Sequence, residues 1–324
     1  MTNFYLVYRP FHLDYVRMII QTHHHSDENI IIDHFGKGDI NEPNVYDSEI
    51  HVFPRETLKK VFFLKKMKAV IENSIAENDH VTFFIPHSLG ILSNYVLFTL
   101  KRKYPHVKIS LYYEGVIFFK KYKHSFFENM FFYLSRWMVG FINGIPYLIK
   151  EEILDLNAPE IDKLYSPFKF NVPIDELVIT ELEKLVYDPC PDSCLILGHA
   201  IQYNTEIVNG IVSAMFKKIN DLNIGTIFYK DHPVDDCTVF HKTASEYGKT
   251  MVIIEKRVSA ESIILQCKPK YIISGWSSGL LNLSSSIPPE VKIFSFVNNL
   301  IIRKEALEDM IKIFTEQKIE VSYV

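Results

Sequence analysis

HVTFFIPHSLGILSNYVLFTLKRKYPHVKISLYYEG, residues 80–115, carries the pattern on which the fold turns. Its first run, HVTFFIP, is short, apolar and suited to a strand. SLGILSNYVLFTLKRKY then spaces apolar side chains at helical intervals, with Ser88 placed to cap the helix. KISLYYEG follows as a second apolar strand that ends on a carboxylate. Apolar strands separated by helices predict a parallel sheet covered on both faces.

The alternation extends both ways. Upstream lie the strand NFYLVY (3–8), the helix FHLDYVRMIIQTH, the strands NIIIDHF and EIHVF, and the amphipathic helix RETLKKVFFLKKMKAVIENSI. Downstream, CLILGHA, TIFYKDHP, MVIIEK, YIISG and VKIFSF read as strands. EIVNGIVSAMFKKIND, SAESIILQC, SSGLLNLSSS and RKEALEDMIKIFTEQ read as helices between and after them. The pattern predicts two doubly wound, Rossmann-like α/β domains, residues 1–155 and 191–324, with the last helix placed to pack back on the first. Residues 156–190, with several prolines and acidic groups, read as the linker. Doubly wound sheets bind ligands outside the carboxyl ends of their strands.

Length and composition agree with this. The chain has 324 residues, enough for two cores, with 48% hydrophobic and 23% charged residues, the balance of a folded soluble protein. A net charge of −4 argues against nucleic acid as a partner, which needs surplus Lys and Arg. No run approaches the ~20 apolar residues of a membrane span, and MTNFYLVYRP lacks the features of a signal peptide, so a cytoplasmic location is expected. Cys190, Cys194, Cys237 and Cys267 read as free thiols. The C-x3-C pair has no matching second pair, and no metal site is expected. His23-His24-His25 reads as a loop after a helix. Neither G-x-G-x-x-G nor a Walker A sequence is present.

Four predicted strand ends carry polar residues suited to chemistry: Glu114-Gly115, Gly198-His199, His232-Pro233 and Trp276-Ser277-Ser278-Gly279. Glu114 follows two tyrosines, so desolvation would raise its pKa toward that of a general base; the alternative is an exposed strand-terminal residue. Ser277 and Ser278 open a helix, where unpaired N–H groups and hydroxyls suit a phosphate, with Gly279 allowing close approach; the alternative is a plain N-cap. His232 suits a cation beside a phosphate or a general acid, and a structural histidine is the alternative.

At these residues the chain resembles bacterial GT-B sialyltransferases of the polysialyltransferase and lipooligosaccharide sialyltransferase groups. The likeness rests on an acidic residue before Gly (Tyr113-Glu114-Gly115), an HP motif (His232-Pro233 in KDHP), a later serine pair (Ser277-Ser278) and the opening YLVYRPFHL. Where many relatives have two acidic residues, this chain has Tyr113 and then Glu114. The resemblance implies a GT-B architecture, two Rossmann-like domains facing a cleft. It implies inverting transfer of sialic acid from CMP-sialic acid to a hydroxyl of an oligosaccharide or lipid-linked glycan, in surface polysaccharide or lipooligosaccharide synthesis. Glu114 would be the base and His232 would bind or protonate the departing phosphate. Ser277, Ser278, Glu261, Gly198, Pro233, Lys230 and Gly279 would line the CMP site. A single phosphate needs no divalent metal to neutralise it, the chain has no D-x-D pair, and no cofactor is expected. Gln202, His199 and His87 are lesser candidates. Two alternatives stay open: the same machinery with another nonulosonate, Kdo or a polyol phosphate as donor, and a non-catalytic sugar- or nucleotide-binding protein.

Residues 116–141 are dense in aromatics with Lys and Arg interleaved. They read either as one or two core helices or as a face for peripheral membrane contact, with Lys120, Lys121 and Lys123 near anionic headgroups.

Overall fold

The computed structural model describes residues 1–34, 49–52, 54, 57–114, 130–148, 160–169, 176–198, 205–231, 238–254, 260–275, 277–298 and 304–324. The described residues form two compact units, one ending at Thr180 and one running from Glu181 to Val324.

The first unit is a seven-stranded sheet in the order β3-β2-β1-β4-β5-β6-β7. The strands are β1 (Thr2–Val7), β2 (Glu28–Asp33), β3 (Glu49–Val52), β4 (Val81–Ile85), β5 (Lys108–Tyr112), β6 (Lys163–Ser166) and β7 (Leu177–Ile179). Every pairing is parallel. All residues of β1 and β4 are buried, as a sheet covered on both faces requires. Helix α1 (Pro10–His23) follows β1 with proline in its first turn and Arg9 extended at its N-cap. Helix α2 (Thr57–Glu77) turns Leu64, Met67, Ile71 and Ile75 into the core at helical spacing. After β4 come α3 (Ile91–Tyr95), a π-helical turn at Val96–Leu100, and α4 (Lys101–Lys103).

Ser88 does not cap this helix. Gly90 holds the N-cap position, because a Cβ there would lie 2.0 Å from the Tyr8 hydroxyl oxygen, and only glycine leaves room for that ring. Helix α5 (Met130–Ile142) occupies part of the aromatic region, and it is not a core helix. Among its described side chains Tyr133 is buried, whereas Phe131 is 83% and Phe141 73% exposed, with Leu134, Trp137, Met138 and Ile142 also exposed.

The second unit is a six-stranded parallel sheet in the order β10-β9-β8-β11-β12-β13. Its strands are β8 (Cys190–Leu197), β9 (Thr226–Lys230), β10 (Met251–Ile254), β11 (Pro269–Ser274), β12 (Lys292–Val297) and β13 (Ile319–Tyr323). The helices are α6 (Thr205–Asp221), α7 (Thr238–Glu246), α8 (Ala260–Cys267), α9 (Ser278–Ser284) and α10 (Lys304–Glu316). Ile211, Val212, Met215, Phe216 and Ile219 of α6 pack with Ile196, Ile227, Tyr229, Ile273 and Phe294 from the strands. Helix α10 packs against β13, the strand that follows it.

Residues 156–190 are not a simple linker. They supply β6 and β7, strands of four and three residues that are too short to show a period. The chain passes to the second unit after Thr180, where the Leu185 N–H donates to the Ser286 carbonyl and the Tyr187 hydroxyl to the Pro269 carbonyl. Helix α7 and strand β13 were also not anticipated. Tyr147 and Leu148 lie outside any strand.

In each sheet the strand order reverses between the first strand and the fourth, β1 and β4 in one and β8 and β11 in the other. At such a reversal the connections leave on opposite faces and open a crevice at the carboxyl edge.

Candidate active site

Glu114 lies two residues beyond β5, at the carboxyl edge of the first sheet and beside its reversal point. Tyr113 continues the ladder by donating its N–H to the Tyr165 carbonyl, which fixes the strand as far as the residue before Glu114. The Tyr113 ring packs against Phe11 and Phe168, and the Tyr112 hydroxyl donates to the Leu6 carbonyl. Glu114 is thereby buried, with its side chain 1% exposed. Burial pushes its pKa up to about 7, and the Arg9 guanidinium opposes the shift without cancelling it. The buried, perturbed carboxylate expected from the sequence is therefore present.

Three basic side chains converge on one oxygen of this carboxylate. The Arg9 guanidinium is 3.7 Å from Glu114 Oε1, His87 Nε2 is 3.8 Å away and His12 Nε2 is 3.9 Å away. Arg9 stands in the β1–α1 turn, His12 in the first turn of α1, and His87 just past β4. The two histidines are not cations here. Burial holds His12 well below the usual imidazole range, and burial with the Arg9 charge brings His87 down to about 3. Glu114 Oε2 and His12 Nε2 are buried with no hydrogen-bond partner among the described residues. A buried oxygen of this kind is costly to leave unmet and suited to accept a proton from an arriving group.

The loop that carries His87 is held firmly. Leu89 donates its N–H to His87 Nδ1, and its carbonyl accepts from Arg136 Nε at 3.0 Å and the Tyr147 hydroxyl at 3.2 Å. The Tyr8 ring lies between His34 and His87, and its hydroxyl is 2.8 Å from Ser93 Oγ. Sequence reasoning named His87 among the lesser candidates and missed Arg9 and His12. Their signal was the position of YRPFH, directly after the first strand of a doubly wound sheet.

On the second unit, Gly198, Lys230 and Ser277 stand at the carboxyl ends of β8, β9 and β11. Gly198 donates its N–H to the Lys230 carbonyl at 2.8 Å. The Lys230 amine is half-buried, which lowers its pKa, while the Glu261 and Asp231 carboxylates pull the other way. Lys230 and Glu261, an exposed residue in the first turn of α8, are thus within electrostatic reach of each other. Ser277 is the N-cap of α9, its Oγ accepting the Gly279 N–H at 3.2 Å. The cap uses an oxygen lone pair and leaves the hydroxyl proton to donate. Ser278 is the first residue of α9. A Cβ on Gly279 would sit 3.3 Å from Ser277 Oγ, so the glycine keeps the approach to that hydroxyl open.

Two buried serines brace this edge. Ser274 Oγ donates to the Leu197 carbonyl, tying β11 to β8, and Ser295 Oγ donates to the Gly275 carbonyl. His232 and Pro233 lie outside the described residues, as do His199 and Gln202.

His23 and His24 have structural partners. His23 ends α1 and bonds with Thr180, while His24 bonds with Asp27 and the Tyr165 hydroxyl. Cys190, Cys194 and Cys267 are free thiols, and among the described residues no cluster of three or more His, Cys, Asp or Glu is placed to hold a metal.

Part of the second unit is similar to a known family. The family model described as Alpha-2,8-polysialyltransferase (POLYST) matches residues 198–290, the span that contains Gly198, Lys230, His232, Pro233, Glu261, Ser277, Ser278 and Gly279. No curated protein matches the chain. Among solved structures, a UDP-GlcNAc 2-epimerase from Neisseria meningitidis bound to UDP-GlcNAc is similar at 12% identity and a TM-score of 0.50, covering 99% of this chain and 95% of that one. MurG from Acinetobacter baumannii matches at 11% identity and a TM-score of 0.46, covering 100% of this chain and 86% of that one. At such identities the likeness to the epimerase speaks for the fold alone. The chain has the two Rossmann-like domains of the GT-B fold, and residues 198–290 of its second unit are similar to the polysialyltransferase family.

Proposed function

We propose that the protein transfers sialic acid from CMP-sialic acid to a hydroxyl of a glycan acceptor, with inversion at the anomeric carbon and without a metal. The observation that carries this is Glu114, a buried carboxylate one strand from a sheet reversal point, whose pKa is pushed to about 7. Such a group is half ionised near neutrality and still basic enough to take a proton, which is what general-base catalysis demands. Glu114 accepts the proton of the acceptor hydroxyl as that oxygen attacks. CMP departs with its phosphate at the β11–α9 turn, where the hydroxyls of Ser277 and Ser278 donate to it and Gly279 leaves room for it. His232, from the motif that resembles the family, binds or protonates the leaving phosphate beside Pro233. Gly198, Lys230 and Glu261 line the remainder of the nucleotide site, with Glu261 suited to the ribose hydroxyls. Donors set in place for a developing negative charge are usually a large catalytic contribution.

The test is turnover of CMP-sialic acid with glycan acceptors, in the presence and absence of a chelator. Transfer that survives chelation and disappears in Glu114→Gln supports the proposal. Binding of CMP without any turnover contradicts it.

The same reading extends to location. Three free thiols among the described residues suit a reducing cytoplasm. No helix among the described residues is long and apolar enough to cross a membrane. The outer face of α5 sets Phe131, Leu134, Trp137, Met138 and Phe141 in solvent. Residues 130–148 contain no acidic side chain, and the sequence leading into them carries Lys120, Lys121 and Lys123 against one acid, Glu128. Aromatics beside basic charge suit an anionic bilayer surface near a lipid-linked acceptor. Flotation with anionic vesicles, lost in Phe131→Ser with Phe141→Ser, supports this contact. Self-association through the same face, with no vesicle binding, contradicts it.

A further inference from the structure

The two oxygens of Glu114 face different surroundings. Oε1 has Arg9, His12 and His87 within 3.7, 3.9 and 3.8 Å, whereas Oε2 is buried without a hydrogen-bond partner among the described residues. Each imidazole is also anchored from behind. His12 Nδ1 accepts the Tyr8 N–H at 3.3 Å, and His87 Nδ1 accepts the Leu89 N–H at 3.2 Å. A neutral ring whose Nδ1 accepts carries its hydrogen on Nε2. Both Nε2–H groups therefore face the same carboxylate oxygen, and the backbone fixes both tautomers.

We propose that His12 and His87 are positioning residues that hold the Glu114 carboxylate by Oε1 and so assign proton acceptance to Oε2. This rests on Glu114 being the base. A carboxylate free to rotate presents either oxygen to the acceptor, and a productive geometry is then one of several. With Oε1 facing two N–H donors and a guanidinium, the lone pairs of Oε2 keep one direction. The separations of 3.7–3.9 Å exceed a hydrogen bond, as is common before a substrate draws a catalytic group into line. Around Glu114 stand Arg9 from the β1–α1 turn, His12 from α1, His87 from the β4 exit and the Tyr112 phenol from β5, whose own ionisation burial and then the carboxylate suppress. Of these, only the two imidazoles combine full hydrogen-bond anchoring on one side with a donor aimed at Glu114 on the other.

Asparagine reaches only the Nδ1 position of a histidine, whereas glutamine carries an amide nitrogen to the Nε2 position. His12→Asn and His87→Asn should each lower kcat by about 10–100-fold with KM unchanged, and should shift the acid limb of the pH–rate profile upward. His12→Gln and His87→Gln should recover most of both. Asn and Gln variants that lose activity alike, or Asn variants with an unmoved acid limb, overturn the proposal. The wild-type protein gives a second test that does not depend on a variant folding. Nitrogen-15 shifts of His12 and His87 should report Nε2–H tautomers, and Nδ1–H tautomers overturn the assignment. Glu114→Gln with wild-type turnover would remove the base itself and the role of Oε2 with it, a failure separate from any tautomer result.

Discussion

Replacing Glu114 by glutamine should stabilise the protein at alkaline pH while slowing its chemistry by about 10²–10⁴-fold. The carboxyl ionises at about 7 in the folded chain and near 4.5 when exposed. Because the folded pKa is raised, the unfolded chain gives up this proton first. The favourable contribution of the protonated group is complete below about pH 4.5 and is lost as pH rises through about 7. A shift of this size corresponds to about 3 kcal/mol of stability lost across that window. Glutamine keeps the shape and carries no charge, so its stability does not follow that curve. Urea denaturation of the first unit's transition, for both proteins at about pH 5 and about pH 8, measures the difference. The variant should be no more stable than wild type at the lower pH and more stable at the higher one. A stability difference that does not change with pH, or a variant weaker at the higher pH, would refute the claim that Glu114 is a desolvated acid.

Arg9→Ala removes the charge that opposes burial, so the pKa of Glu114 should rise and the acid limb of the pH–rate profile should move to higher pH. Gly90→Ala places a methyl 2.0 Å from the Tyr8 hydroxyl oxygen, displaces the ring beside His87, and should cost about 1–3 kcal/mol in thermal unfolding along with activity. Ser277→Ala removes the α9 cap, should destabilise the second unit by about 1 kcal/mol, and should weaken CMP affinity in calorimetry. Unchanged affinity would limit Ser277 to capping.

The alternation of strands and helices was legible because a parallel sheet buried on both faces turns β4, and the second half of β8, into near-continuous apolar runs. Glu114 was legible for the same reason, as a charge ending such a run. The edge strands β6 and β7 were hidden by their length, and the prolines and acids around them read as a linker. Helix α5 shows why spacing alone misleads: an aromatic stripe looks the same whether it faces a core or solvent, and only packing distinguishes them. Arg9 and His12 were overlooked because the opening YLVYRPFHL reads as a strand, turn and helix rather than as a site. They become a site only when the strand order places the exit of β1 beside those of β4 and β5, a relation between residues nearly 80 or more positions apart that no local pattern contains.

The central claim is that Glu114 takes the acceptor's proton during sialyl transfer. Its most direct test is the pH dependence of kcat with CMP-sialic acid for wild type and Glu114→Gln. Wild-type turnover should rise with pH and reach half its plateau at about 7, while the variant should be lower by about 10²–10⁴-fold and flat across the same range. A glutamine variant that turns over CMP-sialic acid at the wild-type rate would contradict the account.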